Sequence, residues 1–256
     1  MRGILVYSEV KATFLGLLTR GRALAAELDQ PLFAALLGEE SAAWEEEAFA
    51  HGAERVFLGE SPHLAVFQAR TYAAALAEIV NQAEAEIILT GSTSRGRELA
   101  PRLAQKLESA CATDVTALSV QEGHLVTQRR ALGGKTLSTE RRAGPYQVIA
   151  LMPKLFDPEL VDDPVTGGEV VQVPLALMPP ATRLVERRPK ESGGVDIEGA
   201  EILIGVGRGI ENEEDLALIR ELADALGGAV GCTRPLSYEY HWLPDDLTIG
   251  LSGKIC

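Results

Sequence analysis

The sequence is poor in the residues from which metal and disulfide sites are built. Its 256 residues hold three cysteines, Cys111, Cys232 and Cys256, and four histidines, His51, His63, His124 and His241. No CxxC or HExxH spacing occurs, which excludes zinc sites of those kinds and a disulfide framework. The cysteines read as free thiols of a reducing cytoplasm. Positive charge is scarce as well: 24 Lys and Arg stand against 37 Asp and Glu, a net charge of −13. Such a surface repels nucleic-acid phosphate and anionic headgroups, so neither nucleic acid nor a membrane is an expected partner. No apolar run approaches the ~18 residues that cross a bilayer. The opening Met1-Arg2-Gly3-Ile4-Leu5-Val6-Tyr7 lacks the apolar length of a signal peptide and reads as a strand. No Ser–His–Asp or Cys–His set can be placed from spacing.

What the chain has is periodic apolar sequence. Hydrophobic residues make up 46% of it, and its length allows two domains. Strands are expected at 3–8, 31–37, 55–58 and 86–90, alternating with helices at 15–28, 42–51, 69–82 and from about 97. This βαβα rhythm predicts an α/β fold, a parallel sheet with helices on both faces. Strands at 115–121, 124–130, 135–141 and 146–152 follow at short spacing, with Glu122-Gly123 and Gly133-Gly134 as hairpin signals. They predict antiparallel additions to the parallel sheet, and 170–177 reads as one more strand.

Residues 189–200, Pro-Lys-Glu-Ser-Gly-Gly-Val-Asp-Ile-Glu-Gly-Ala, are polar and glycine-rich and read as a linker. The expected domains are therefore 1–188 and 201–256. The second opens strand–turn–helix–strand. Asn212 is its expected N-cap, and Glu213, Glu214 and Asp215 suit the positive end of the helix dipole. Leu216, Ile219, Ala223 and Leu226 form the expected buried stripe, and Gly227 ends the helix.

Three apolar strands of this second part each run into a turn of Gly, Ser, Thr or Arg. They are Ile202-Leu203-Ile204-Gly205-Val206-Gly207-Arg208-Gly209, Val230-Gly231-Cys232-Thr233-Arg234-Pro235 and Ile249-Gly250-Leu251-Ser252-Gly253-Lys254. In an open parallel sheet such turns line the crevice at the strands' carboxyl ends, where nucleotides bind. The first is not an NAD fingerprint: the third glycine of GxGxxG falls on Ile210, and the next strand ends in Thr233-Arg234 rather than an acid. It can admit a phosphate or ring close to the backbone, or be a tight turn with a solvated arginine. Arg234 carries five donors in a fixed fork and can face an anion or pair with a surface carboxylate. The Ser252 hydroxyl can donate to a ring nitrogen or close a simple turn. Residues 91–98, Gly-Ser-Thr-Ser-Arg-Gly-Arg-Glu, offer either an anion site or a capping loop with Ser94 or Ser92 as the cap, and the capping reading is preferred.

Together these segments resemble the α subunit of electron-transfer flavoproteins over nearly the whole chain. The resemblance rests on Leu89-Thr90-Gly91-Ser92-Thr93-Ser94-Arg95-Gly96-Arg97-Glu98, on Arg130-Ala131-Leu132-Gly133-Gly134-Lys135, and on the glycine, Thr-Arg and Leu243-Pro244-Asp245-Asp246 to Lys254 segments of the second part. It implies an N-terminal domain like adenine-nucleotide α-hydrolases followed by a Rossmann-like FAD domain. It implies FAD as cofactor, a β subunit as partner, and electron carriage from dehydrogenases to a quinone reductase or other acceptor, without substrate turnover of its own. By matching position, Arg208 contacts FAD from the glycine turn, Thr233 lies beside it, and Arg234 faces the flavin ring. Ile249, Gly250, Leu251 and Ser252 match the loop along the isoalloxazine. Leu251-Ser252 replaces the family's frequent Gln-Thr, and the stretch Tyr238-Glu239-Tyr240-His241 departs from its Asp-Ala-Gly. These departures suggest the branch of the family tied to dedicated pathways. The family continues beyond the position of Cys256, so the resemblance implies a FAD domain truncated here, with about half of its site. Two other functions remain open: a cofactor-free scaffold binding the β subunit, and an adenine-nucleotide-binding enzyme using residues 91–98.

Overall fold

The computed structural model describes residues 3–38, 43–141, 143–162, 167–186, 196–250 and 253–254. Two compact units make up the chain, Met1–Leu184 and Val185–Cys256.

The larger unit carries the strands β1 (Gly3–Tyr7), β2 (Leu32–Leu37), β3 (Arg55–Gly59), β4 (Ala85–Gly91), β5 (Cys111–Gln121), β6 (His124–Ala131), β7 (Thr136–Arg141), β8 (Gln147–Leu151) and β9 (Glu169–Gln172). They form one sheet in the order β7-β6-β5-β8-β4-β1-β2-β3-β9. Its helices are α1 (Lys11–Leu28), α2 (Glu45–Ala50), α3 (Ala69–Ala83) and α4 (Ser94–Lys106). Strand β1 shows how the layers arise. All five of its residues are buried, and the pleat sends them to alternate faces. Ile4 and Val6 join Phe14, Leu17 and Leu18 of α1 in one core, while Leu5 and Tyr7 join Leu76, Ile79, Leu99 and Leu103 of α3 and α4 in the other. Strands buried on both faces are continuous apolar runs, as the sequence predicted for a helix-covered parallel sheet.

One strand sits differently from the expectation. Residues 146–152 were expected among the antiparallel additions, yet β8 lies between β4 and β5 and is parallel to both. Val148, Ile149, Ala150 and Leu151 are all buried, the mark of a central parallel strand rather than a half-solvated hairpin. Among the described residues, the antiparallel additions are β6 and β7. Strand β5 starts parallel to β8, breaks register where Asp114 adopts φ 54°, and continues antiparallel to β6. Glu122 and Gly123 both take positive φ, 52° and 75°, the geometry of a two-residue hairpin that follows strand twist. At the far edge, β9 is shorter than the expected 170–177 strand; it pairs parallel with β3 and ends before Pro174, which has no N–H to offer a ladder.

The smaller unit contains β10 (Leu203–Val206), a 3₁₀ turn at Glu213–Asp215, α5 (Leu216–Leu226) and β11 (Ala229–Cys232). β10 and β11 pair in parallel from Leu203↔Ala229 to Val206↔Cys232. The expected linker 189–200 reaches into this unit, because Ile197 is fully buried in its core with Val206, Leu216, Cys232 and Leu236. Residues 187–195 lie outside the described residues. Asn212 makes no side-chain cap bond; the acidic 3₁₀ turn leads into the helix instead. Leu216 and Ala223 face the core as expected, but Leu226 is 51% exposed, so the buried stripe is one turn shorter than its apolar pattern. Gly227 ends the helix in the left-handed region at φ 67°. Among the described residues, no helix is long and apolar enough to cross a membrane, and no group of three or more His, Cys, Asp and Glu is placed to hold a metal ion.

Candidate functional site

Three turns meet at the carboxyl edge of the small parallel sheet. The first follows β10. Ile210 N–H donates to the Gly207 carbonyl at 3.1 Å and closes it. A Cβ on Gly207 would stand 3.3 Å from Thr233 Oγ1, so this turn lies directly against the one after β11. A Cβ on Gly209 would meet nothing within 4 Å, and Arg208 beside it is exposed. The backbone here is open to an approaching ligand.

The second turn extends the ladder by one bond: Thr233 N–H donates to the Val206 carbonyl at 2.8 Å. Thr233 and Arg234 are both exposed. Pro235 then starts a wide π-type turn, Pro235–Glu239, closed by Tyr240 N–H on the Pro235 carbonyl at 3.0 Å. Leu236 and Ser237 are buried beneath it. The third turn arrives beside β11, where Thr248 bridges Cys232 in parallel and Ile249 N–H donates to the Cys232 carbonyl at 2.8 Å. The Ile249 side chain lies across the sheet: Cβ atoms on Gly205 and Gly231 would stand 3.1 and 2.9 Å from it. Gly250 follows at φ 99°, exposed, with open space where a side chain would be. Leu251 and Ser252 lie outside the described residues.

The structure thus brings Arg208, Thr233, Arg234 and Gly250 to one edge. It gives the Ile249 side chain a packing role that its sequence pattern did not show. Arg234 lies over the Tyr238 ring, 4.8 Å from guanidinium carbon to ring centroid. Sequence reasoning missed this contact, although the i, i+4 spacing of the two residues around a helical turn carries the signal. Two guanidiniums, a hydroxyl and bare glycine backbone form a donor set that fits an anionic dinucleotide.

Cys232 lies under the site, fully buried. Burial pushes its thiol above the ordinary range, against the opposing effect of hydrogen bonds with Ser237 and Thr248. Those two hydroxyls lie 2.8 Å apart. A raised thiol pKa favours the protonated fold, so the contribution is whole below the unfolded thiol's pKa and is lost as pH rises through the folded one. Two outcomes are expected: the small unit melts at a lower temperature above pH ~9 than at neutral pH, and Cys232 reacts with a thiol reagent only on unfolding. Rapid labelling of Cys232 in the folded protein would contradict its burial.

The loop 91–98 is a capped turn occupied by the chain's own carboxylates. Its cap is Thr93, not Ser94 or Ser92: Thr93 Oγ1 accepts from Gly96 N–H at 2.9 Å. The same hydroxyl donates to Glu9 at 2.5 Å, and Ser92 Oγ donates to Asp114 at 2.7 Å. Arg97 lies 3.9 Å from Asp114, and Arg95 sits over the Phe67 ring at 5.2 Å. A phosphate entering here would meet two carboxylates, which disfavours the nucleotide-binding alternative.

Parallel α/β units with glycine and Thr-Arg turns at the strands' carboxyl ends place the chain in the class of nucleotide-binding-type α/β proteins. Residues 7–178 match the electron transfer flavoprotein domain, and residues 196–256 match the electron transfer flavoprotein FAD-binding domain. The chain belongs to the electron transfer flavoprotein family and is of its α-subunit type. It is 30% identical to the electron transfer flavoprotein subunit alpha of Clostridium acetobutylicum, over 99% of this chain and 78% of the relative. It is 33% identical to the lactate dehydrogenase (NAD(+),ferredoxin) subunit LctC of Acetobacterium woodii, over 99% of this chain and 62% of the relative. Against the putative electron transfer flavoprotein subunit YdiR of Escherichia coli the identity is 32%, over 75% of this chain and 61% of the relative. The chain therefore spans less than two thirds of the length of the last two.

Proposed function

We propose that this chain is an electron carrier that holds FAD at the carboxyl edge of its small sheet, in a heterodimer with a β subunit. It takes electrons from dehydrogenases and delivers them to a quinone reductase or another acceptor, in the cytoplasm. The observation that supports this most is the convergence of Arg208, Thr233, Arg234 and Gly250 on one exposed edge. FAD supplies the redox chemistry when bound. Arg208 and Thr233 bind and orient it from the two adjoining turns. Arg234 places a permanent positive charge toward the ring, where reduction adds negative charge. Gly250 lets the Ile249–Gly250 backbone approach the ring, and the family resemblance assigns Leu251 and Ser252 to the same ring-side loop, with the serine hydroxyl as a donor to a ring nitrogen.

Co-expression with the β subunit tests the proposal. The purified pair is expected to be yellow and to release FAD in stoichiometric amount on denaturation. A colourless pair of full solubility would favour the cofactor-free scaffold instead.

A further inference from the structure

The sequence around Arg234 holds a residue that the FAD-site assignments leave out. Arg234 has helical backbone angles, φ −46° and ψ −40°, and opens the turn Pro235–Glu239. Tyr238, one turn on, brings its ring under the guanidinium at 4.8 Å. The backbone of the same turn is clamped separately. Buried Ser237 donates its hydroxyl to the Arg234 carbonyl at 3.1 Å and lies 2.8 Å from Thr248 Oγ1 of the neighbouring turn. Trp242 N–H closes the far side on the Leu236 carbonyl at 2.9 Å, and its ring packs on Tyr240 at 4.9 Å. The main chain of Arg234 is therefore fixed by a hydroxyl and its side chain by a ring.

We propose that Tyr238 is a positioning residue for Arg234: its ring holds the guanidinium at the carboxyl edge of β11, ready to meet the flavin. This rests on the FAD reading above. A free arginine spreads over many rotamers and loses that freedom when it binds. Holding it beforehand removes part of the cost. The ring face offers no acceptor oxygen, so the guanidinium keeps its five N–H donors for the ligand. Tyr238 is 49% exposed, so its ring is not needed to fill the core.

The test compares Tyr238→Leu, Tyr238→Gln, Tyr238→Phe and Arg234→Ala in the complex with the β subunit, reading FAD affinity and flavin midpoint potential. Tyr238→Leu and Tyr238→Gln are expected to weaken FAD binding roughly two- to fivefold, the range of an exposed cation–π contact. Both should move the potential in the direction that Arg234→Ala moves it, by less. Tyr238→Phe should match the wild type, because the ring face and not the hydroxyl makes the contact. Wild-type affinity and potential in both ringless variants, with Arg234→Ala altered, would overturn the positioning role and leave the FAD reading standing. Tighter binding in the ringless variants would also overturn it, by showing that the ring holds the arginine back. A wild-type complex without flavin would overturn the FAD reading and this inference with it.

Discussion

Arg234→Ala is expected to lower the midpoint potential of FAD bound to the heterodimer by on the order of 100 mV. Reduction adds negative charge to the ring, and a nearby guanidinium favours the reduced form over the oxidised one. A unit charge at ~4 Å contributes ~4 kcal/mol at an effective dielectric of ~20, and ~1.4 kcal/mol is ~59 mV for one electron. Arg234 is exposed, so solvent screening takes a share of this and the expected shift is below the full value. Arg234→Lys should fall between, since lysine keeps the charge but loses the planar fork. Potentiometric titration of the flavin checks both variants. A potential unchanged in Arg234→Ala would remove Arg234 from the mechanism.

Gly96→Ala is expected to destabilise the larger unit more than any surface change near it. Gly96 lies in the first turn of α4, pressed on the end of β4: a Cβ there would stand 1.8 Å from the Gly91 carbonyl oxygen and 3.0 Å from its carbon. Both are backbone atoms, so no side chain can swing aside and the helix start must move off the strand. That movement also strains the Thr93 cap on Gly96 N–H. Overpacking typically costs about 1–3 kcal/mol, and a backbone clash belongs at the upper end. For a unit of this size that is a fall in Tm of roughly 10 °C. Gly209→Ala is the matched control, because its added methyl meets open space. Calorimetry of the two variants should show a depressed transition only for Gly96→Ala. An unshifted one there would mean that α4 does not press on β4 this closely.

The parts of the fold that could be read from the sequence are those where burial leaves a continuous apolar run. The strands β1 to β4 and the long helices α1 and α3 were placed to within a few residues of their observed bounds. The helix α1 begins at Lys11 rather than at 15, where its apolar stripe becomes regular. Strand β8 is expected from the sequence among the antiparallel additions, yet it pairs in parallel. Its closeness to a run of hairpins suggested antiparallel pairing, while its four buried residues carried the opposite message. Pairing partners depend on contacts distant in sequence, which local pattern does not encode.

The site divides in the same way. Glycine and Thr-Arg turns after apolar strands are local signals, and the structure carries Arg208, Thr233, Arg234 and Gly250 on the turns they mark. What those residues touch was less legible. In the sequence Arg234 can face an anion or a carboxylate, and the structure supplies a third neighbour, Tyr238. Ile249 reads as a loop residue but packs over Gly205 and Gly231, two glycines whose missing side chains make room for it. In residues 91–98 the hydroxyls and arginines suggested an anion, but Glu9 and Asp114, distant in sequence, occupy the turn.

Whether FAD binds at this edge is decided by titrating the apo heterodimer with FAD, followed by quenching of flavin fluorescence, for the wild type and for Arg208→Ala/Arg234→Ala. Saturable binding is expected in the wild type, with a loss of affinity of at least tenfold in the double variant, the size of two lost charge-assisted contacts. Equal binding by the two proteins would place the flavin away from Arg208 and Arg234 and overturn the FAD site at the carboxyl edge of the small sheet.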